Sequence, residues 1–302
     1  MKIFITGANG LVGTSLGRFL LSEGHEVTGL VRSEAKGRLL PAGETYVLGE
    51  GTRAGAWQDA VAGRDVLINL AGVPIFKRWT AAYKQLLRDT RIITTRNLVD
   101  AIPTETGSSV TLLSTSAVGY YGFTGDEELD EAAPPGNDFL ALLARDWEAE
   151  AVRAREKGVR VVLSRFGIVL GKDGGALPQM ILPFRLFVGG PLGSGRQWFS
   201  WIHIQDLCRA AGFVIANSEI KGPINFTAPV PARNKDLAKA VGKVLRRPSI
   251  MPAPSFMIRL LMGEFEAVVL KGQRVVPHAL QTQGFEFKFP DIEAALRNLL
   301  IP

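Results

Sequence analysis

The chain has a single cysteine, Cys208, among 302 residues, which rules out two kinds of protein. No disulfide can close within it, and no cysteine-rich metal site can be built. Histidine is nearly as scarce. His25, His203 and His278 are far apart in sequence, and no pair has ligand spacing, so no metal is expected. No apolar run approaches the ~18 residues of a membrane span. The N-terminus, MKIFITG, reaches a glycine before a signal-peptide core can form. Runs of five or six like charges are also missing. The net charge of +6 therefore reads as a basic, solvated surface and not as a nucleic-acid footprint. These absences predict a cytoplasmic protein with a small-molecule substrate and neither nucleic acid nor membrane as partner.

What is present is a large apolar fraction, 46%, enough for a substantial core. The first forty residues carry the strongest signal. Lys2–Thr6 is a short apolar strand. Gly7-x-x-Gly10-x-x-Gly13 follows, then Leu16, Phe19 and Leu20 at helical spacing, then a second strand, Glu26–Val31. This is the first unit of a dinucleotide-binding fold. Gly7 permits the tight turn, Gly10 lets backbone approach a pyrophosphate, and Gly13 lets the helix pack closely. The helix N-terminus offers N–H groups to the phosphates. An acid at the end of the second strand would bind a ribose 2′-hydroxyl and repel a 2′-phosphate. The chain has Val31-Arg32-Ser33 instead, with Lys36 and Arg38 nearby. Arg32 predicts NADP(H).

Strand and helix signals alternate up to Gly171. Thr45–Leu48, Asp65–Leu70, Val110–Ser114 and Val159–Ser164 read as further strands, and GPINFTAP as one more. The fold class is α/β: a Rossmann-type, doubly wound parallel sheet with helices on both faces and a smaller C-terminal lobe. Residues 1–171, with 203–228 returning to them, form the NADP-binding domain. Residues 172–202 and 229–302 form the lobe, with FEFKF as a short strand in it. Four strand ends, TGANG, LAG, STS and SRFG, should line one cleft. In the helix after LAGVP, Tyr83, Leu87, Thr94, Leu98 and Ile102 share a face, and Arg91 falls on it. A buried arginine needs a partner, either a cofactor phosphate or a carboxylate of the fold. Asp206 reads as the N-cap of a helix running to Ala216.

The motifs TGANGLVG, INLAG, STSAVGYYG, SRFGIVLG and WIHIQDLCRA resemble those of the extended and atypical short-chain dehydrogenase/reductases. GGPLGSGRQ, RLLMGE and LKGQRVVP narrow the resemblance to the atypical, epimerase-family (nucleoside-diphosphate-sugar-epimerase-like) group. It covers almost the entire chain. It implies NADP(H) binding, with Gly7, Gly10, Leu11, Val12 and Gly13 at the pyrophosphate and Arg32 at the 2′-phosphate. It also implies that Leu70, Ala71 and Gly72 line the cofactor's other side. Arg91 matches a position that touches the cofactor, and Ile168 packs near the nicotinamide. No defined substrate comes with it.

The usual mechanism of these reductases pairs Tyr-x-x-x-Lys on one helix face. The lysine lowers the tyrosine's pKa, so that the tyrosine can exchange a proton with the substrate. The residues four beyond Tyr46, Tyr83, Tyr120 and Tyr121 are Glu50, Leu87, Thr124 and Gly125. On the helix that should carry the pair, capped by Asn137, the tyrosine position falls to Phe139 or Leu140. The lysine position falls to Leu143 or Ala144. The remaining catalytic candidates are Ser114, Ser116, Tyr120 and Tyr121; the tyrosines can alternatively pack and cap the turn. His203 reads as an acid–base group or as a structural histidine beside a helix cap. Arg165, Arg185 and Arg196 with Trp198 and Trp201 suit an anion-and-ring site, or pack the lobes together. Two functions follow: an NADP(H)-dependent oxidoreductase or epimerase-like protein acting on a small carbonyl or hydroxyl compound, possibly nucleotide-linked in substrate class, or a non-catalytic NADP(H) sensor or scaffold.

Overall fold

A computed structural model describes residues 1–104 and 110–301. Its centre is a seven-stranded sheet, every pair parallel: β1 (Lys2–Thr6), β2 (Glu26–Val31), β3 (Thr45–Leu48), β4 (Val66–Asn69), β5 (Thr111–Ala117), β6 (Arg160–Phe166) and β7 (Gly222–Phe226). The spatial order is β3-β2-β1-β4-β5-β6-β7. The order reverses between β1 and β4, and that switch point is where such sheets bind ligands. This is the doubly wound Rossmann-type sheet that the alternating pattern predicts.

Both faces of the sheet are covered, which is why its strands read as continuous apolar runs. Ile3, Ile5, Leu113 and Val162 face one layer, with α1 (Leu11–Ser22) and the later helix Ile204–Ala216. Phe4, Leu67, Leu112 and Val161 alternate to the other layer, with α2 (Ala81–Asp100) and α3 (Phe139–Val152). Leu87, Thr94 and Leu98 of α2 are buried as the wheel predicts. A separate apolar cluster joins α4 (Leu177–Arg185), α5 (Ile204–Ala216, shared with the first layer), α6 (Asn234–Leu245) and the helix Ile292–Leu300. β7 lies in the main sheet despite its late position in sequence.

Three local expectations are corrected. The cap of α3 is Asp138, not Asn137; its carboxylate accepts from the N–H groups of Leu140 and Ala141. The cap of α5 is His203, not Asp206; Nδ1 accepts from Gln205 N–H at 3.0 Å. Asp206 is occupied elsewhere: its carboxylate accepts from the N–H groups of Lys288 and Phe289 at 2.9 and 2.8 Å. Those bonds take backbone donors that a strand would need, so FEFKF forms none. β5 also runs three residues beyond Ser114, to Ala117.

One ionisable side chain, half-buried, packs between α1 and β2. At Gly17 of α1 and Gly29 of β2, any side chain would overlap the Glu44 carboxyl. Its oxygens are buried and have no hydrogen-bond partner among the described residues. Burial pushes this carboxyl up to about 7. Among the described residues, no helix is long and apolar enough to cross a membrane.

Candidate active site

The turn between β1 and α1 is shaped by what its glycines lack. Gly7 has a left-handed φ of +71°, and a Cβ there would stand 2.8 Å from the Leu70 carbonyl group. The turns after β1 and β4 can therefore touch, backbone to backbone. A Cβ at Gly13 would overlap the Gly7 and Ala8 carbonyls, so the start of α1 closes on its own turn. Gly10 is exposed, serves as the N-cap, and brings no side chain to the helix end. No acid stands in the first turn of α1. The N-terminus thus keeps its partial positive charge and free donors.

Leu11 opens α1 and brings an apolar side chain. That side chain packs on Gly171 and Gly175, in a small sheet of Ile168–Gly171, Gly174–Gly175 and Trp201–His203. Val12 is half-buried against the core. Ile168 opens the same small sheet, and its N–H donates to Ser200 O at 2.8 Å. Arg32, just past β2, is exposed and has no carboxylate partner among the described residues.

At the end of β4, Asn69 is fully buried. It accepts from Thr6 Oγ1 at 2.7 Å and donates to Thr95 Oγ1 at 2.7 Å and to Ser114 Oγ at 3.4 Å. Leu70, Ala71 and Gly72 then leave the sheet. The Arg91 guanidinium lies against Gly72, 3.0 Å from where a Cβ would be. Arg91 finds no carboxylate. It donates to the carbonyls of Leu87 and Val73 at 3.1 and 3.0 Å, and lies 5.4 Å above the Trp147 ring. Burial lowers it to about 10. Two neutral carbonyls leave its charge uncompensated and several of its five N–H donors unspent.

The end of β5 is organised in the opposite way. Ser116 Oγ donates to Glu148 Oε1 at 2.6 Å. The Glu148 carboxylate also receives Arg165 Nε and Nη2, at 2.8 and 2.9 Å, in a bidentate pair with both side chains buried. Arg165 Nη1 donates to the Tyr121 hydroxyl at 3.0 Å, which donates to Asn225 Oδ1 at 2.7 Å. Burial pushes Tyr121 up to about 12. Ser114, Ser116 and Tyr121 are each about 1% exposed. Tyr120 differs. Its ring lies half-buried, 3.5 Å beneath the Arg165 guanidinium, and its hydroxyl has no hydrogen bond among the described residues. Sequence reasoning missed Glu148 and Asn225. The signal for Glu148 was its place one turn past Ala144, on a face otherwise apolar.

Leu140 packs on Gly119, with Ala144 a turn further along α3, so the first turns of this helix present carbon to the turn after β5, while Glu148 further on takes Ser116. Phe139 stacks edge-on to Trp79, 5.2 Å away, and Trp79 contacts Phe265 of the C-terminal segment. His203 is the structural histidine of the two readings. It is fully buried, lies 3.9 Å from the Phe289 ring, and is lowered to about 4 by burial.

The five-residue anion site is not assembled. Arg165 is locked to Glu148, Trp201 is buried with Nε1 donating to Val230 O, and Arg185 is exposed at the end of α4. A different group surrounds Trp198. Asp126 accepts from Trp198 Nε1 at 2.9 Å and from Arg233 at 2.7 Å, and the Arg233 guanidinium lies 3.8 Å over the indole. Asp126, Arg196, Arg233 and Lys235 line a recess of about 230 Å³ with three cations to one acid. A second recess, about 300 Å³, runs along Tyr121, Phe123 and Asn137.

Comparison with known proteins agrees with this architecture. Residues 3–226 match the NAD dependent epimerase/dehydratase family, and residues 253–299 match a domain of unknown function, DUF1731. An Arabidopsis thaliana protein, the chloroplastic SDR39U1 homolog of the epimerase family, is 43% identical, covering 99% of this chain and 87% of its own length. The Bacillus subtilis epimerase family protein YfhF is 39% identical over 99% of this chain and 98% of its own. The crystal structure of human epimerase family protein SDR39U1 (isoform 2) with NADPH superposes with a TM-score of 0.87 at 33% identity, covering 99% of both chains. Several UDP-sugar epimerases share the fold at under 20% identity. With its glycine turn, its doubly wound parallel sheet and relatives matched over nearly its whole length, the chain belongs to the NAD dependent epimerase/dehydratase family of atypical, SDR39U1-like short-chain dehydrogenase/reductases.

Proposed function

We propose that the chain is an NADP(H)-binding oxidoreductase or epimerase-like enzyme acting on a small, anionic carbonyl or hydroxyl compound, nucleotide-linked ones included. One observation carries the reading. The N-terminus of α1, with no side-chain cap, and Arg32, with no carboxylate partner among the described residues, follow the C-terminal ends of the adjacent parallel strands β1 and β2, with no acid at the end of β2. That arrangement fits a pyrophosphate on helix N–H groups and a 2′-phosphate on a guanidinium. The unspent donors of Arg91 beside Gly72 suit the same ligand. The crystal structure of the human relative is one with NADPH, which supports the choice over NAD. NADP(H), when bound, supplies hydride chemistry.

The chain's own residues supply the rest. Backbone N–H groups of Leu11, Val12 and Gly13 hold phosphate, and Ile168 offers an apolar wall. Tyr120 is the proton-exchanging group, because its hydroxyl alone among the four candidates is not committed within the fold. Arg196, Arg233 and Lys235 attract the anionic part of the substrate. In this reading residues 1–171 with 203–228 hold the cofactor, residues 172–202 and 229–302 the substrate, and the protein works in the cytoplasm.

A second reading, a non-catalytic NADP(H) sensor or scaffold, is favoured by the carbon face of Leu140 and Ala144. NADPH oxidation across a panel of carbonyl compounds separates the two. The enzyme reading expects turnover that Tyr120→Phe lowers by about a hundredfold or more. Tight NADPH binding with no turnover on the whole panel selects the sensor.

A further inference from the structure

Helix α7 (Ser255–Met262) has the sequence SFMIRLLM, with one charge in eight residues. A helix that apolar is ordinarily buried on most sides. Here Ile258 is buried, while Phe256 is 72% exposed and Leu260 75%. The segment before it continues the surface, with Ile250 83% exposed and Met251 beside it. This segment is stitched to the chain leaving α4. Met251 N–H donates to Gly189 O at 3.2 Å, Ala253 N–H to Pro191 O at 2.9 Å, and Gly193 N–H to Ala253 O at 2.9 Å. That stitching sets Ile250 and Met251 next to Leu186 and Phe187, both more than half exposed. Phe187 holds a left-handed φ of +62°, rare for a bulky residue, and its ring lies 4.4 Å from the Arg247 guanidinium. Two separate stretches of chain, held side by side by these bonds, thus both carry exposed apolar side chains.

Their charge is one-sided. No acid occurs between Asp173 and Asp206, nor between Asp236 and Glu264. The same stretches carry Arg185, Arg246, Arg247 and Arg259, all exposed, with Arg247 over the Phe187 ring and Arg259 on α7 itself. Arg259 is paired with Glu266 at 3.4 Å; the other three have no carboxylate partner among the described residues. We propose that these stretches form one face, which docks on an anionic phospholipid bilayer. The tips of Phe187, Ile250, Met251, Phe256 and Leu260 enter the headgroup boundary, and the arginines meet lipid phosphates. A second copy of the chain is the poorer fit, because a two-fold contact through this face sets arginine against arginine. An acidic protein partner fits less well too. The apolar side chains stand out from the surface, whereas the recesses described above lie around Tyr121 and Arg196. Association is peripheral, since no described helix is long and apolar enough to span. It departs from the expectation of no membrane partner, which rested on the absence of a span.

Co-sedimentation of the full chain tests this. Vesicles of phosphatidylcholine alone are compared with vesicles containing about one-third phosphatidylglycerol. The chain should pellet with the anionic vesicles, not with the neutral ones, and release at high salt. Phe256→Ser/Leu260→Ser should partition at least about tenfold more weakly. Arg246→Glu/Arg247→Glu should do the same. Both variants change exposed side chains, so their unfolding midpoints should match the parent's. No pelleting with anionic vesicles at low salt overturns the proposal, as does equal partition of parent and Phe256→Ser/Leu260→Ser. A concentration-dependent dimer that Phe256→Ser/Leu260→Ser abolishes, without vesicle binding, assigns the face to a second copy and overturns it as well.

Discussion

The turn after β1 and the turn after β5 lie at the same edge of one sheet, and they treat polar groups in opposite ways. After β1 the side chains are absent or uncommitted: Gly7, Gly10 and Gly13 expose backbone, the Gly10 cap of α1 brings no side chain, and Arg32 has no carboxylate partner among the described residues. After β5 the polar side chains are consumed within the fold. Ser116, Glu148, Arg165, Tyr121 and Asn225 form one chain of hydrogen bonds, buried throughout. Groups kept for a ligand are left unsatisfied by the protein, whereas groups that hold a fold together are paired. By that measure we propose the β1 edge as a binding site, and we read most of the STSAVGYYG segment as scaffold, with Tyr120 as the exception.

The sharpest way to break this contrast is to cut the buried pair. Glu148→Ala leaves Arg165 charged, buried and uncompensated, which should cost about 3 to 5 kcal/mol in urea denaturation. Gly10→Ala, at the other edge, should cost less than about 1 kcal/mol while weakening NADPH binding. Equal destabilisation by the two changes would erase the distinction.

A smaller effect divides the adjacent tyrosines. Tyr121→Phe strands an Arg165 N–H and Asn225 Oδ1 and should cost about 1 to 3 kcal/mol. Tyr120→Phe should change stability by no more than about 0.5 kcal/mol, its consequence appearing in turnover instead. Thermal unfolding of both variants, with NADPH oxidation of each, reads the two axes separately.

Smallest is the Glu44 carboxyl under the cofactor edge. Its folded pKa, about 7, lies above the ordinary carboxylate value because burial disfavours the charge. The folded state therefore binds its proton more tightly than the unfolded chain. The stability this gives is fully present below the unfolded value and is lost as pH rises through about 7. Glu44→Gln should thus stabilise by about 1 to 2 kcal/mol at pH 8, the full shift being discounted for partial exposure, and hardly at all at pH 4. Unfolding midpoints at the two pH values check it; an equal gain at both contradicts the assignment.

Much of the fold was legible because its signals are local. The apolar runs of β1, β2 and β3 coincide with the expected strands, and the glycine spacing places the turn. What failed depended on partners far away in sequence. Asp206 looked like a helix cap, but its carboxylate serves Lys288 and Phe289, about eighty residues on, and the same bonds remove the FEFKF strand. Ser116 and Tyr121 are a different case: serine and tyrosine at a strand end suggest catalysis, and the structure adds that both hydroxyls are hydrogen-bonded within the fold. Nothing local reveals that Glu148 and Asn225 will occupy them. Arg91 was read as needing a phosphate or a carboxylate. Carbonyls and an indole face proved to be its partners in the fold, which keeps the phosphate option open on physical grounds.

The central claim is that the β1 edge is a site for a 2′-phosphorylated dinucleotide, and Arg32 tests it most directly. Calorimetric titration of the parent and Arg32→Asp with NADPH and NADH compares the cofactors on one protein. The account predicts that the parent prefers NADPH, and that Arg32→Asp weakens NADPH by about 30- to 100-fold while changing NADH by no more than a few-fold. Equal loss for both cofactors, or a parent that prefers NADH, contradicts it.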